Sequence, residues 1–105
     1  MVVYRQGDII LEPVKKPKFY NKVTDILSIK GETGHAHILP VPVMETAQVR
    51  GFKMPLMQFV EVGKGGALMT HEEHPPLRIN EGTYQVKRVR TFEPDVAQRF
   101  TDVMD

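Results

Sequence analysis

The chain has 105 residues and a formal net charge of +1, from 14 lysines and arginines against 13 aspartates and glutamates. This length leaves room for one modest hydrophobic core, so we predict a single domain over residues 1–105. The balanced charge argues against a nucleic-acid or membrane partner recruited by bulk electrostatics. No segment approaches the roughly 20 apolar residues of a membrane span, and Arg5 and Asp8 interrupt the N-terminus before a secretory signal could form. A cytoplasmic location is therefore the expectation.

Eight prolines and eight glycines divide the chain into short pieces rich in β-forming residues. We predict strands over residues 8–14, 24–30, 35–41, 44–50, 56–62, 66–70, 76–79 and 83–92. Short strands at nearly even spacing favour an all-β fold, a small antiparallel β-sandwich or barrel, over a βαβ fold. The glycine-rich run at 63–66 is interpreted as a hairpin loop, because no Gly-Lys-Ser/Thr follows it as a phosphate-binding loop would require.

Basic residues are concentrated at two places, Lys15, Lys16, Lys18 and Lys22 in "KKPKFYNK" and Lys87, Arg88 and Arg90 in "VKRVR". Together they could build a phosphate-binding face. The favoured interpretation is a solvated lysine-rich loop beside an ordinary charged strand.

The C-terminal tail has a helical pattern instead of a β pattern. Its apolar residues Val96, Phe100, Val103 and Met104 recur at the spacing of one helical face, and Pro94 and Asp95 suit a first turn. We predict a helix over 94–104. A helix this short needs a docking partner, which is either its own sheet or another subunit of a homo-oligomer.

All four histidines lie in two pairs, His35 with His37 and His71 with His74. Residues i and i+2 of a strand share a face, so the first pair could converge on one cation. The second pair flanks Glu72 and Glu73, and a tight turn would bring positions i and i+3 together. Pro75 biases His74 towards an extended backbone at the start of the next strand.

Cysteine is absent, so a metal ion would have to be held by nitrogen and oxygen ligands. Three imidazoles with a carboxylate, or four imidazoles, suit Zn²⁺, Fe²⁺, Mn²⁺ or Ni²⁺. We predict His35, His37, His71 and His74 as metal ligands, with Glu72 or Glu73 as a further ligand or a general base. A metal-free cluster that tunes an interface by protonation is the alternative, as is an exposed loop with no ligand.

The motif "GETGHAH", with His71 following 34 residues after His37, resembles the cupin arrangement. Cupins are small β-barrels whose first motif ends in His-x-His and whose second motif supplies a later histidine. The resemblance implies that His35, His37 and His71 are metal ligands in a double-stranded β-helix. The chain departs from that pattern, since "ILPVPVM" follows the first motif where cupins have a glutamate, and "GGALMTHEEH" lacks Pro-x-Gly.

The ordered set "RQGDIIL", "TGHAH", "HEEHPPL" and "EGTYQVKRVR" is similar to a group of small uncharacterised proteins in bacterial and phage genomes. That similarity covers nearly the whole chain and implies a common fold and site, without naming a reaction. A phage origin would imply a virion-associated location.

We favour a small metal-binding β-barrel with a histidine cluster, with catalysis on a small-molecule ligand left open. The alternatives are a structural or assembly module with histidine loops at an interface, and a nucleic-acid-binding β protein. No serine or cysteine nucleophile motif supports hydrolysis, and Ser28 is the only serine.

Overall fold

The computed structural model describes residues 2–31, 34–47, 57–89 and 103–104 of the chain. In this part the fold is all-β, as the sequence predicts, with eleven short strands. The strands are β1 Val3–Gln6, β2 Ile9–Pro13, β3 Tyr20–Thr24, β4 Leu27–Lys30, β5 Ala36–Leu39, β6 Val43–Thr46, β7 Gln58–Val62, β8 Ala67–His71, β9 His74–Ile79, β10 Gly82–Arg88 and β11 Val103–Met104.

The strands form two sheets that pack as a sandwich. The larger sheet has the order β11-β1-β2-β10-β7-β6-β3, and the smaller has the order β4-β5-β8-β9. Neighbouring strands are antiparallel throughout except for β1 and β11, which run parallel. Consecutive strands often change sheets, so residues distant in sequence meet between the two layers.

The hydrophobic core lies between the sheets and follows the two-residue alternation of strands. Ile9 and Leu11 of β2 point into it, whereas Ile10 is buried outside this cluster. The other core side chains are Tyr4, Leu27, Leu39, Val41, Val43, Val60, Val62, Met69, Ile79 and Tyr84. One polar side chain of β5, His37, is as buried as its apolar neighbours, with a relative exposure of 1%.

Two tyrosines hold the turn between β9 and β10. The Asn80 N–H donates to the Tyr4 hydroxyl at 3.2 Å, and the Tyr84 hydroxyl donates to the Asn80 carbonyl at 2.8 Å. The two rings meet edge to face at 5.7 Å between centroids. Burial, with Tyr4 beside it, raises the pKa of Tyr84 to about 12, so this hydroxyl keeps the proton that it donates. These contacts fix the connection between β9 and β10 to the core.

The structure corrects two details of the sequence prediction. β1 and β3 were missed, because β1 is only four residues long and all five side chains of β3 are exposed. The glycine-rich run at 63–66 is not a hairpin loop: it joins β7 of the larger sheet to β8 of the smaller, and those strands do not pair with each other. The predicted helix over 94–104 lies outside the described residues, apart from Val103 and Met104, which form β11.

Candidate functional site

The four imidazoles lie together on one side of the sandwich, as the sequence predicts. The His37 ring centroid is 4.2 Å from that of His71 and 6.1 Å from that of His74. The His71 and His74 centroids are 4.8 Å apart, and those of His35 and His71 are 6.1 Å apart. We call these four side chains the histidine cluster. The two histidine motifs therefore form one site and not two.

His71 and His74 converge because they face each other across the hairpin between β8 and β9. Their Cα atoms are paired in the register of these strands, with Glu72 and Glu73 forming the turn. The Glu73 N–H donates to His71 Nδ1 at 3.0 Å, so the neutral His71 ring carries its proton on Nε2. Neither nitrogen of His74 has a hydrogen-bond partner among the described residues.

His37 points into the molecule because it shares the inward face of β5 with Leu39. Its Nδ1 lies 3.0 Å from Gln6 Oε1, and its Nε2 lies 3.1 Å from Asp8 Oδ1. Both partners come from the first hairpin of the chain, where Gln6 ends β1 and Asp8 belongs to the turn before β2. Sequence reasoning missed both residues as members of the site.

The turn that places Asp8 has two residues, Gly7 and Asp8, between the paired residues Gln6 and Ile9. Gly7 has a φ of 58°, which is the backbone conformation that the first position of such a turn needs. A Gly-Asp pair between strands is a recognised hairpin signal, so the stretch "YRQGDII" is enough to predict this hairpin.

The Gln6 carboxamide is fixed in one orientation. Its Nε2 donates to the carbonyls of Met69 and Pro75, both at 3.1 Å, so its Oε1 must face His37. An amide oxygen only accepts, and therefore His37 Nδ1 is the donor in that contact. The remaining nitrogen, His37 Nε2, faces the Asp8 carboxylate.

Burial lowers the pKa of His37 below its ordinary value of 6.5, against the raising effect of the hydrogen bond that the protonated ring donates to Asp8. Positive charge on His71 or His74 lowers that pKa further. Both ring nitrogens face acceptor oxygens, so the protonated ring donates to both, whereas a neutral ring donates through only one of them. The neutral ring with its proton on Nδ1 keeps the hydrogen bond to Gln6. Its Nε2 lone pair then points at a carboxylate oxygen 3.1 Å away.

The second carboxylate oxygen, Asp8 Oδ2, is buried and accepts no hydrogen bond from the described residues. The nearest cation is the Arg88 guanidinium, whose Nε is 3.4 Å away and whose Nη2 donates to the Lys30 carbonyl. The Arg88 guanidinium therefore lies beside Asp8 Oδ2, whereas Asp8 Oδ1 faces His37.

Two glycines approach the His37–Asp8 pair so closely that a Cβ at either position would contact an imidazole of the site. A Cβ on Gly31 would lie 3.2 Å from His37 Nε2 and 3.5 Å from Asp8 Oδ1. A Cβ on Gly7 would lie 2.7 Å from His74 Nε2 and 3.3 Å from His37 Cε1. Any larger residue at either position would press on the imidazole nitrogens.

His35 lies apart from this buried group, immediately before β5, and its side chain is 42% exposed. Its Nδ1 is 2.7 Å from Glu72 and its Nε2 is 3.2 Å from Glu73. Both ring nitrogens are thus engaged by carboxylates at the hairpin turn. The two histidines of this motif thus differ in burial, since His35 precedes the strand and is partly exposed while His37 is buried, although both rings lie near that of His71.

The predicted ligand set is not assembled as a metal centre in this arrangement. Among the described residues, no three His, Asp or Glu side chains have their ligand atoms placed to hold a metal ion. The described part of the chain also contains no helix able to cross a membrane.

The basic residues considered as a phosphate-binding face are largely neutralised. Three ion pairs join them to acidic side chains, Lys16 with Glu61, Lys22 with Asp25 and Lys87 with Glu12. Arg88 is engaged by Asp8, and Arg90 lies outside the described residues. β3, which carries Lys22, ends the larger sheet, where lysines commonly discourage pairing with another chain.

A family model described as a domain of unknown function, DUF8820, matches residues 5–89. The chain belongs to the DUF8820 family. The DUF8820 match includes Gln6, Asp8 and all four histidines, so the whole candidate site lies within the family domain. No curated protein and no solved structure matches the chain.

Proposed function

We propose that this protein binds a divalent metal ion in the histidine cluster, through His37 Nε2, Asp8 and the imidazoles of His71 and His74. The ligand set differs from the sequence prediction, since Asp8 replaces Glu72 and Glu73 as the carboxylate and His35 is left out. The proposal concerns binding, and catalysis is not part of it.

The observation that carries the proposal is the separation of His37 Nε2 and Asp8 Oδ1, which is 3.1 Å. Two ligand atoms about 2.1 Å from a metal ion lie about 3.0 Å apart at a right angle and about 3.4 Å apart at a tetrahedral angle. The pair therefore already has the spacing of two adjacent ligands. A cation that binds both atoms also removes the repulsion between a lone pair and a carboxylate.

The surroundings of His37 support the same function. A metal-ligating imidazole usually donates its other N–H to an oxygen acceptor, which fixes the ring and its tautomer. Gln6 Oε1 occupies that place, with its amide fixed by two backbone carbonyls. The buried Asp8 Oδ2 accepts no hydrogen bond from the described residues and has Arg88 Nε 3.4 Å away, so it is a second carboxylate oxygen available to a cation at the same point.

His71 and His74 must reorient to complete the proposed set, because the described side chains are not yet placed to hold a metal ion. His74 has no hydrogen bond among the described residues to lose, and the space at Gly7 lies beside its Nε2. His71 must give up its contact with the Glu73 N–H in either case: Nδ1 binds the metal in place of that N–H, or Nε2 binds it after the ring proton moves to Nδ1. Imidazole and carboxylate ligands without sulfur suit Zn²⁺, Fe²⁺, Mn²⁺ and Ni²⁺.

The test is metal titration of chelator-treated, tag-free protein, with Zn²⁺ followed by calorimetry and Co²⁺ by visible absorption. We expect one ion per chain. The isosteric variant Asp8→Asn and the variant His37→Gln should each weaken binding more than about 100-fold, beyond the effect of changing an outer-shell partner. Each variant's circular dichroism spectrum confirms that it folds.

The matched control is His35→Gln, which changes the other histidine of the same motif. It should leave the dissociation constant within about threefold, because an exposed charge contact is worth under about 1 kcal/mol. Wild-type protein that takes up well under one ion per chain would remove the proposal. Equal losses in His35→Gln and His37→Gln would show that the ligand set is wrong.

A further inference from the structure

Gln6 is one of three buried polar or charged side chains in the described part of the chain, with a relative exposure of 2%. Burying a carboxamide in a small core is unfavourable unless its donors and acceptor find partners. All three contacts of Gln6 lead to the histidine cluster. The amide reaches one carbonyl on β8, at Met69, and one on β9, at Pro75, while its oxygen reaches His37 on β5.

These contacts tie together the two halves of the site. His37 is 31 residues from Gln6 in sequence, and the carbonyl of Met69 is 63 residues away. The hairpin of β8 and β9, which carries His71 and His74, pairs with β5 in the backbone register only at Ile38 and Thr70, and the His37 and His71 rings are 4.2 Å apart between centroids. Gln6 contacts both strands of this hairpin and His37 at the same time.

We propose that Gln6 is the positioning residue of the site: its amide holds the β8–β9 hairpin against His37, and its oxygen keeps the His37 proton on Nδ1 so that Nε2 is free for a cation. This inference rests on the metal-binding function proposed above. Gln6 itself is not a ligand, since both ends of its carboxamide are engaged by the protein.

The first test is made on the metal-free protein. Nitrogen-15 NMR of the histidine rings reports which His37 nitrogen carries a proton. In the wild type, Nδ1 should have the chemical shift of a protonated ring nitrogen. In Gln6→Met, which conserves length but removes the acceptor, the proton should move to Nε2, where Asp8 can accept it.

The second test is the affinity for Zn²⁺ of the same variant. Gln6→Met should weaken binding by about 10- to 100-fold, as outer-shell substitutions do. The control is Thr46→Val on β6, outside the histidine cluster. It removes a buried hydroxyl that accepts a hydrogen bond from the Met57 N–H. It should lower thermal stability but leave both the His37 tautomer and the Zn²⁺ affinity unchanged.

Gln6→Glu provides a second variant in case Gln6→Met does not fold. It keeps an oxygen for His37 Nδ1 but, when ionised, cannot donate to Met69 or Pro75. We expect the His37 tautomer to be retained and the Zn²⁺ affinity still to fall, because the hairpin is released.

The outcomes separate this inference from the proposed function. Wild-type protein with the His37 proton on Nε2 alone, or Gln6 variants with unchanged tautomer and unchanged affinity, would overturn the role of Gln6 even where metal binds. Wild-type protein that binds no metal would overturn the metal-binding function and the part of this inference that depends on it. The tautomer measurement would still decide whether Gln6 orients His37.

Discussion

His35 and His37 are two residues apart, yet they occupy opposite environments. His37 is buried and contacts one amide oxygen and one carboxylate, each held by the first hairpin. His35 is 42% exposed and contacts Glu72 and Glu73 at the tip of another hairpin. We refer to His37, Gln6 and Asp8 as the inner group, and to His35, Glu72 and Glu73 as the outer group.

The comparison shows that similar side chains acquire different chemistry from burial. Contacts of the outer group are screened by water and contribute little to the free energy of unfolding. Contacts of the inner group replace water in a protein interior, so leaving either partner unsatisfied is costly. Only the inner group therefore holds its atoms at fixed separations, which is what a metal site requires.

The largest expected effect is on stability. His37→Ala should lower the free energy of unfolding by about 3 kcal/mol, because it removes a buried side chain and leaves the buried Gln6 Oε1 without its donor. His35→Ala should cost under about 1 kcal/mol. Urea unfolding of the metal-free variants measures both. Similar losses would mean that the two groups do not differ as described.

The glycines provide the next test. Gly7→Ala places a Cβ 2.7 Å from His74 Nε2 at a φ of 58°, whereas Gly65→Ala meets no atom within 4 Å at a φ of 97°. Both substitutions should lower the free energy of unfolding by about 1–2 kcal/mol, because a residue with a Cβ is strained at a positive φ. Only Gly7→Ala should also weaken Zn²⁺ binding in the titration. A loss of affinity in Gly65→Ala would point to a general effect of backbone strain.

The pH dependence of stability should come from the inner group. Because burial lowers the pKa of His37 in the folded state, the unfolded chain binds more protons below its ordinary pKa of 6.5. The stabilisation is fully present above pH 6.5 and is lost as the pH falls from 6.5 towards the lowered folded value. Urea unfolding between pH 7.5 and 5 in the presence of a chelator measures this, and His37→Gln should flatten the slope in that range. An unchanged slope in His37→Gln would assign the dependence to other groups.

The smallest effect is expected in the outer group. The double variant Glu72→Gln, Glu73→Gln should change the free energy of unfolding by under about 1 kcal/mol, since its contacts are exposed. High salt should reduce even that difference. A Zn²⁺ affinity lowered as strongly as in Asp8→Asn would restore these glutamates as ligands.

Local sequence patterns were sufficient for most of the strands and for one part of the site. Turn signals and short β-rich pieces predicted an all-β sandwich or barrel, and the described fold is a two-sheet sandwich. The spacing of His71 and His74 predicted that a tight turn would bring them together, and the hairpin confirms it. Both inferences depend on contacts between residues near in sequence.

Contacts between residues near in sequence could not predict that the members of the inner group meet. Gln6 and Asp8 are about thirty residues from His37, and their contacts arise because the first hairpin of the larger sheet meets β5 of the smaller one. A single sequence does not record which strands face each other across the layers.

The sequence by itself determined that this chain folds as short strands with all its imidazoles in two motifs, because alternation and turn chemistry act between near neighbours. Tertiary structure alone decided which histidine is buried and which carboxylate meets it. The physical reason is that strand order within and across the sheets sets burial, and burial sets the strength of every polar contact.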